Sequence, residues 1–196
     1  MAYRILFIVF LLLQSCQSEK SPLKGETEWQ RNMNGMFKDA SKSPLLENDL
    51  RSFVGLQFFP VDSAFVVNAD LRRTPDTEFF NMRTTTDAVN RERVFGQLHF
   101  KLKGQNFVLN VYQGEETISA FDNRDYLFLP FLDDTNGEET YGGGRYLDLK
   151  IPEGDSITID FNKAYHPYCV YNERYSCPIV PRENYLATRV EAGIRL

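Results

Sequence analysis

Residues 159–184 read IDFNKAYHPYCVYNERYSCPIVPREN, a segment holding one Asp, one His, two Cys, four Tyr, three Asn and three Pro. Side chains of these types hold metals, close disulfides or activate nucleophiles. His166, Cys169 and Cys177 offer three ligands, with Asp160 as a fourth to recruit. Structural zinc takes four ligands, usually from two close pairs, and such pairs are absent. A Cys–His nucleophile built on Cys169 and His166 is a further option, but a disulfide would consume the thiol. Two Cys eight positions apart, with Asn172 and Glu173 able to turn the chain between them, lead to the expectation of a Cys169–Cys177 disulfide. A metal site or two free thiols are the rival readings. On the disulfide reading the segment is a strand followed by a pinned loop, stiffened by Pro167, Pro178 and Pro181. Its four Tyr then cover apolar surface.

Two other stretches invite chemistry. Asp133-Asp134-Thr135-Asn136-Gly137-Glu138-Glu139 gathers carboxylates around a glycine, as calcium loops do. An EF-hand register with Gly137 sixth puts Leu132 first and Gly143 twelfth, and neither is a ligand. A polar turn leaving a strand is the simpler reading. Gly142-Gly143-Gly144-Arg145 is neither a Walker loop nor a dinucleotide fingerprint. It reads as a tight turn into a strand, and the functional option is Arg145 clamping an anion beside Glu139. No Gly-x-Ser-x-Gly elbow occurs. Of the two His, His99 falls on the polar face of a hairpin and is expected to be solvated. Glu139, Arg145, Asp160, Asn162, His166 and Asn184 are the candidate ligand-binding residues. No catalytic residue, metal or cofactor is assigned.

The elements that position these groups are mainly strands. Thr27 and Gln30 have the form of a capping box, and Trp29, Met33, Met36 and Phe37 follow at helical spacing. This predicts a short amphipathic helix ending before Ser43-Pro44. The period then changes to two. Phe53 to Phe59, Phe65 to Leu71 and, more weakly, Glu78 to Arg83 are strand-like. Leu98, Phe100 and Leu102, then Phe107, Leu109 and Val111, alternate with polar neighbours around a turn at Lys103-Gly104. That is an antiparallel hairpin with one buried face. Leu127 to Leu132, Arg145 to Ile151, Ser156 to Phe161 and Tyr185 to Val190 complete the set. Many short strands without long helices between them predict an all-β antiparallel sandwich or open barrel over residues 25–196.

The beginning of the chain concerns location. Ile5 to Leu13 are all apolar after Arg4, too few to span a bilayer but fitting for a secretory signal. Leu13-Gln14-Ser15-Cys16 has the form of a bacterial lipobox. Residues 1–15 are therefore expected to be a lipoprotein signal peptide. Cys16 is expected to carry the lipid, and residues 16–24 to form a polar tether. Two acyl chains anchor stably where one does not. The formal net charge is −5, so the surface field disfavours nucleic acid. The expected setting is the bacterial cell envelope, facing the periplasm or the surface, with an unknown envelope ligand or protein as partner.

Several stretches resemble a known family. They include Gly55-Leu56 with Phe58-Phe59-Pro60-Val61-Asp62, Leu127-Phe128-Leu129-Pro130-Phe131 and Gly137 to Leu147. Asp160 to Tyr165, Cys177-Pro178, Glu183-Asn184 and Ala192-Gly193 extend the pattern. Together they resemble domain of unknown function 1684, in the short lipoprotein form common in Bacteroidetes. His166 departs from the pattern, which more often has Asn there, and this weakens a metal reading. The resemblance implies no activity and supplies no catalytic residue. The function expected is a ligand- or partner-binding envelope lipoprotein. The alternative is an envelope hydrolase, metal-dependent or not, with Glu139, Arg145, Asp160, Asn162 and His166 at its site. An enzyme should bring those residues to one pocket, whereas a binding module should scatter them.

Overall fold

The computed structural model describes residues 24–120 and 122–196. The stretch expected to be a signal peptide, Cys16 and nearly all of the expected tether lie outside the described residues. Helix α1 (Glu28–Lys38) begins at the expected capping box, with the Thr27 hydroxyl accepting from the Gln30 amide and the Gln30 side chain accepting in return. Its buried face differs from the apolar stripe. Gln30, Asn34 and Phe37 are innermost, because the Asn34 amide satisfies the Leu56 N–H at 2.7 Å and the Lys24 carbonyl at 2.8 Å. A second helix, α2 (Glu47–Ser52), reaches Phe53. The strand expected over Phe53 to Phe59 contracts to β1 (Gln57–Phe58), since Gly55 turns the chain at φ 129°.

The first half of the chain continues with β2 (Val66–Arg73), β3 (Phe80–Arg83), β4 (Val89–Leu102) and β5 (Gln105–Gly114). After the short helix α3 (Glu115–Ser119) come β6 (Tyr126–Asp133), β7 (Arg145–Lys150) and β8 (Ser156–Asp160), then β9 (Tyr185–Leu186) and β10 (Ile194–Arg195). The main sheet runs β7-β6-β5-β4-β2-β8, all antiparallel along that path. β3 joins β4, β9 joins β6 in parallel, and β1 pairs with β10. The strand expected over Tyr185 to Val190 stops at Leu186, where the chain turns and the Thr188 N–H donates back to the Leu186 carbonyl at 2.7 Å.

This sheet curls into a half-barrel, the architecture expected from the strand pattern. Phe161, next after β8, lies 5.2 Å from the Phe131 ring of β6. Four strand spacings separate those strands in the sheet order, which would be about 19 Å if the sheet were flat. The inside of the curl holds the core. The hairpin predicted from residues 97–112 is present, with Leu98, Phe100, Leu102, Leu109 and Val111 buried and Phe107 packed against them. Its two-residue turn puts Lys103 at φ 47° and Gly104 at φ 84°, the positive pair that matches strand twist. Ile159 and Phe161 belong to this core as the alternation predicted.

The hairpin carries one irregularity, at the far end of β4 from the turn. Gly96 pairs with Val111 and Val94 with Tyr112, so two steps on β4 face one on β5. This is a β-bulge at Phe95, and it reverses the side-chain phase. Leu98, Phe100 and Leu102 point into the curl. Val94 and Glu92, in the same numerical phase, join Tyr112 on the outer face instead.

Candidate ligand-binding cavity

The outer face carries its own smaller cluster of Met82, Tyr112, Phe128, Tyr146 and Val180. Alternation along β6 and β7 sends Leu127, Leu129 and Leu147 inward, and Phe128 and Tyr146 outward. Residues 161–184 cross over this face. The Tyr165 and Tyr146 backbones exchange hydrogen bonds of 3.0 and 2.9 Å, and Ile179 N–H donates to the Arg83 carbonyl at 2.8 Å. Between this loop and the sheet lies a cavity of about 390 Å³.

Aromatic rings dominate its wall: Tyr126, Phe128 and Tyr146 from the sheet, Tyr165, Tyr168 and Tyr175 from the loop. Phe128 and Tyr146 meet edge to face at 4.7 Å, Tyr146 and Tyr165 at 5.9 Å, and Tyr168 and Tyr175 at 5.4 Å. Their hydroxyls are tied back. Tyr126 and Tyr165 both donate to one Asp148 oxygen, at 2.8 and 2.6 Å, and Tyr146 donates to the Pro178 carbonyl. The loop is thus more than a cover of apolar surface, since it supplies half of the ring wall.

Glu92 enters the cavity from β4. It sits directly opposite Gly114, where a Cβ would stand 3.2 Å from the carboxylate. The glycine leaves the space that Glu92 occupies. Glu92 is 8% exposed, and its Oε2 has no hydrogen-bond partner. Burial, helped by the Glu116 carboxylate of α3, raises its pKa to about 7. Ser176 and Cys177 also reach the wall.

None of the six candidate ligand-binding residues lines this cavity. Arg145 does clamp a carboxylate, but an internal one. It is fully buried, 2.8 Å from Asp133, and it also donates to the Val190 and Ala192 carbonyls. Glu139 is held by Arg189 at the surface. Asp160 caps the turn at Asn162 and pairs with Lys163, while Asn162 grips the Asp62 backbone on both sides. Asn184, wholly buried, donates to the Asn110 and Pro130 carbonyls and accepts from Asn110 N–H. His166 is buried between the Tyr141 N–H at 3.3 Å and the Tyr171 hydroxyl at 3.4 Å, and burial lowers its pKa to about 4.

Two further expectations are corrected. The Cys169–Cys177 disulfide is not formed. Both are free thiols, with the Cys169 N–H donating to Cys177 Sγ at 3.1 Å and burial pushing the Cys177 thiol up to about 12. The loop needs no covalent pin, because Thr85 and Arg83 already hold Cys177 and Ile179 by backbone and hydroxyl hydrogen bonds. His99 is not simply solvated either, since Nε2 is buried without a partner. Elsewhere the polar-turn readings hold. Asp133 caps Thr135 at 2.8 Å, and Gly144, at φ 92°, leads into β7 where a Cβ would stand 2.6 Å from the Phe131 carbonyl. Among the described residues no three His, Cys, Asp or Glu converge to hold a metal ion, and no helix is long and apolar enough to cross a membrane.

Glu92 itself escaped the sequence reading. The available signal was its phase. It is a carboxylate in register with Leu98, Phe100 and Leu102 on one continuous strand, where an apolar residue is expected.

Comparison with known proteins gives kinship without an activity. A search of curated proteins found no match. An uncharacterized protein of Haloarcula marismortui, solved in solution by NMR, is similar. It has 33% identity and a TM-score of 0.67, over 85% of this chain and 90% of that one. The family model described as protein of unknown function DUF1684 matches residues 51–195, and the chain belongs to that family.

Proposed function

We propose that this protein is a small-molecule binding module, carried on a lipid anchor in the bacterial cell envelope. The observation that supports it is the cavity of about 390 Å³, walled by six aromatic rings and entered by one buried carboxylate. Binding sites of this kind are concave, mostly apolar and furnished with few polar groups. The dispersal of the six sequence-read candidates into turns, caps and ion pairs favours this reading over a hydrolase built on those residues. The membrane part of the reading rests on the apolar run and the Leu13-Gln14-Ser15-Cys16 junction. Fragment screening by ligand-observed NMR tests the binding site. Hits should be lost when Phe128 and Tyr146 are replaced by Ala, and hits that persist would remove the cavity from consideration. Mass spectrometry of the membrane fraction tests the anchor, with a diacylated Cys16 as the mature first residue expected. A mature protein starting elsewhere without lipid would discard it.

A further inference from the structure

We propose that the cavity takes an organic cation, an amine or methylated ammonium carried on a small apolar body, with Glu92 as its counter-ion. The inference rests on the cavity being a binding site and names the ligand class. Three observations point to it. First, the wall offers rings rather than donors. The hydroxyls of Tyr126, Tyr146 and Tyr165 are already given to Asp148 and the Pro178 carbonyl, and the Tyr175 hydroxyl accepts from Arg174 at 2.7 Å. The Ser176 hydroxyl donates to Thr84 at 2.8 Å and accepts from Thr86 at 2.7 Å. The protons of Tyr126, Tyr146, Tyr165 and Ser176 are therefore spent, and a guest that needed donors to an anionic or carbonyl group would find those four hydroxyls engaged. Second, one polar atom on this wall is buried and left over, Oε2 of Glu92. Third, the local charge is negative. Glu116 stands beside Glu92, while the one guanidinium on the wall, Arg91, is neutralised by Glu115 at 3.2 Å.

An ammonium group fits all three. It donates to the vacant oxygen, it offsets two neighbouring carboxylates, and it is attracted to aromatic rings even where they offer no hydrogen bond. An anion would meet repulsion from Glu92 and Glu116. Above about pH 7, where Glu92 is ionised, a neutral guest would leave a buried charge without a partner. The apolar remainder of the ligand would cover the rings of Phe128 and Tyr146, which already pack edge to face.

The test compares isosteres. Benzylamine, benzyl alcohol and benzoate are titrated into the full chain in dodecyl maltoside micelles at pH 8, by calorimetry. Benzylammonium should bind at least tenfold more tightly than the alcohol, and benzoate should be weakest. Equal binding of amine and alcohol, or tighter binding of benzoate, overturns the cation while leaving the cavity reading in place. Failure of all three, together with no hit in the fragment screen, removes both. Glu92→Gln should erase the preference for the amine with no loss of thermal stability, and a preference that survives in that variant counts against Glu92 as counter-ion. The wild-type comparison stands even if the variant folds poorly. Ethanolamine and phosphorylethanolamine separate the two sources of such a group. Tighter binding of the phosphorylated form assigns a lipid headgroup, and tighter binding of ethanolamine assigns a free amine.

Discussion

Asp133 and Glu92 are both buried carboxylates of one sheet, and their surroundings are opposite. Asp133, at the end of β6, is 3% exposed and fully provided for. Arg145 gives it a charge partner, and the Thr135 and Val190 amides share its other oxygen. The segment between β9 and β10 closes the cluster through the Val190 and Ala192 backbones, so both carboxylate oxygens are satisfied from within, and the one atom left over there is Nε of Arg145, a donor on the cation and not an unpaired charge. Glu92 on β4 has a neighbour of like charge and an oxygen with no partner. A chain that buries a carboxylate satisfies it or loses stability. Where the fold leaves one unsatisfied beside a cavity, the missing partner is most simply a ligand. The two faces of the sheet therefore do different work. One is a completed core, and the other is a wall awaiting an occupant.

Removing the Arg145 charge should have the largest effect. Arg145→Met leaves Asp133 buried without its cation and frees two carbonyls, so stability should fall by about 3–5 kcal/mol. Chemical denaturation measures it. A loss below about 1 kcal/mol would mean that the pair is not the completed unit described, and the contrast with Glu92 would collapse.

The matching change at Glu92 should go the other way, and only at high pH. Its folded pKa, about 7, is raised above an ordinary glutamate's. In that window the folded state holds the proton that the unfolded state has released. Stability from this group is full below the unfolded pKa and is lost as pH rises through about 7. Glu92→Gln, which cannot ionise, should match wild type near pH 4 and exceed it by ~1–2 kcal/mol at pH 8. Melting curves across pH measure the difference. A constant offset at all pH values would show that ionisation of Glu92 costs nothing.

Asp148→Asn probes the scaffold of the wall. Asp148 accepts from the Tyr126 and Tyr165 hydroxyls at the surface end of the rings. An amide oxygen can still accept from both, so the loss should be only the charge-assisted part, about 1 kcal/mol. Fragment affinity should fall severalfold because two rings are held less firmly. An affinity unchanged by the variant would mean that the rings are held by packing alone.

What the sequence revealed and what it hid divide along the same line. The core face was legible, because Leu98, Phe100, Leu102, Ile157, Ile159 and Phe161 alternate strictly and burial on one face enforces that period. The cavity face was not. Its residues come from β4, the end of β5, α3, β6, β7 and the loop, and nothing local brings them together. The bulge at Phe95 also hides Glu92, since a two-residue period continued past Gly96 sends it into the core. The six residues singled out by type were conspicuous for the same reason that they are structural. Asn162 and Asn184 sit where backbone groups lack strand partners, and Asn side chains supply them. Arg145 follows three glycines because a buried guanidinium there ties the turn to residues 190–192.

The smallest effect is expected at Glu139, and it bears on where the ligand binds. Glu139 was drawn into the candidate set by its place beside Arg145, yet the two side chains serve different partners. Glu139 pairs with Arg189 at the surface, each about 38% exposed, and Arg189 keeps Glu138 at 2.9 Å and Glu191 at 3.3 Å. Solvent screens such a pair, and the cation has two other carboxylates to turn to. Glu139→Ala should therefore change stability by no more than about 0.5 kcal/mol. It should leave benzylamine affinity unchanged, since Glu139 does not line the cavity. The two readouts separate two errors. A loss of several kcal/mol would make the surface network part of the completed core. A loss of amine binding at wild-type stability would return the ligand to the Glu139 side of the molecule, and Glu92 would then be a strained residue without a guest.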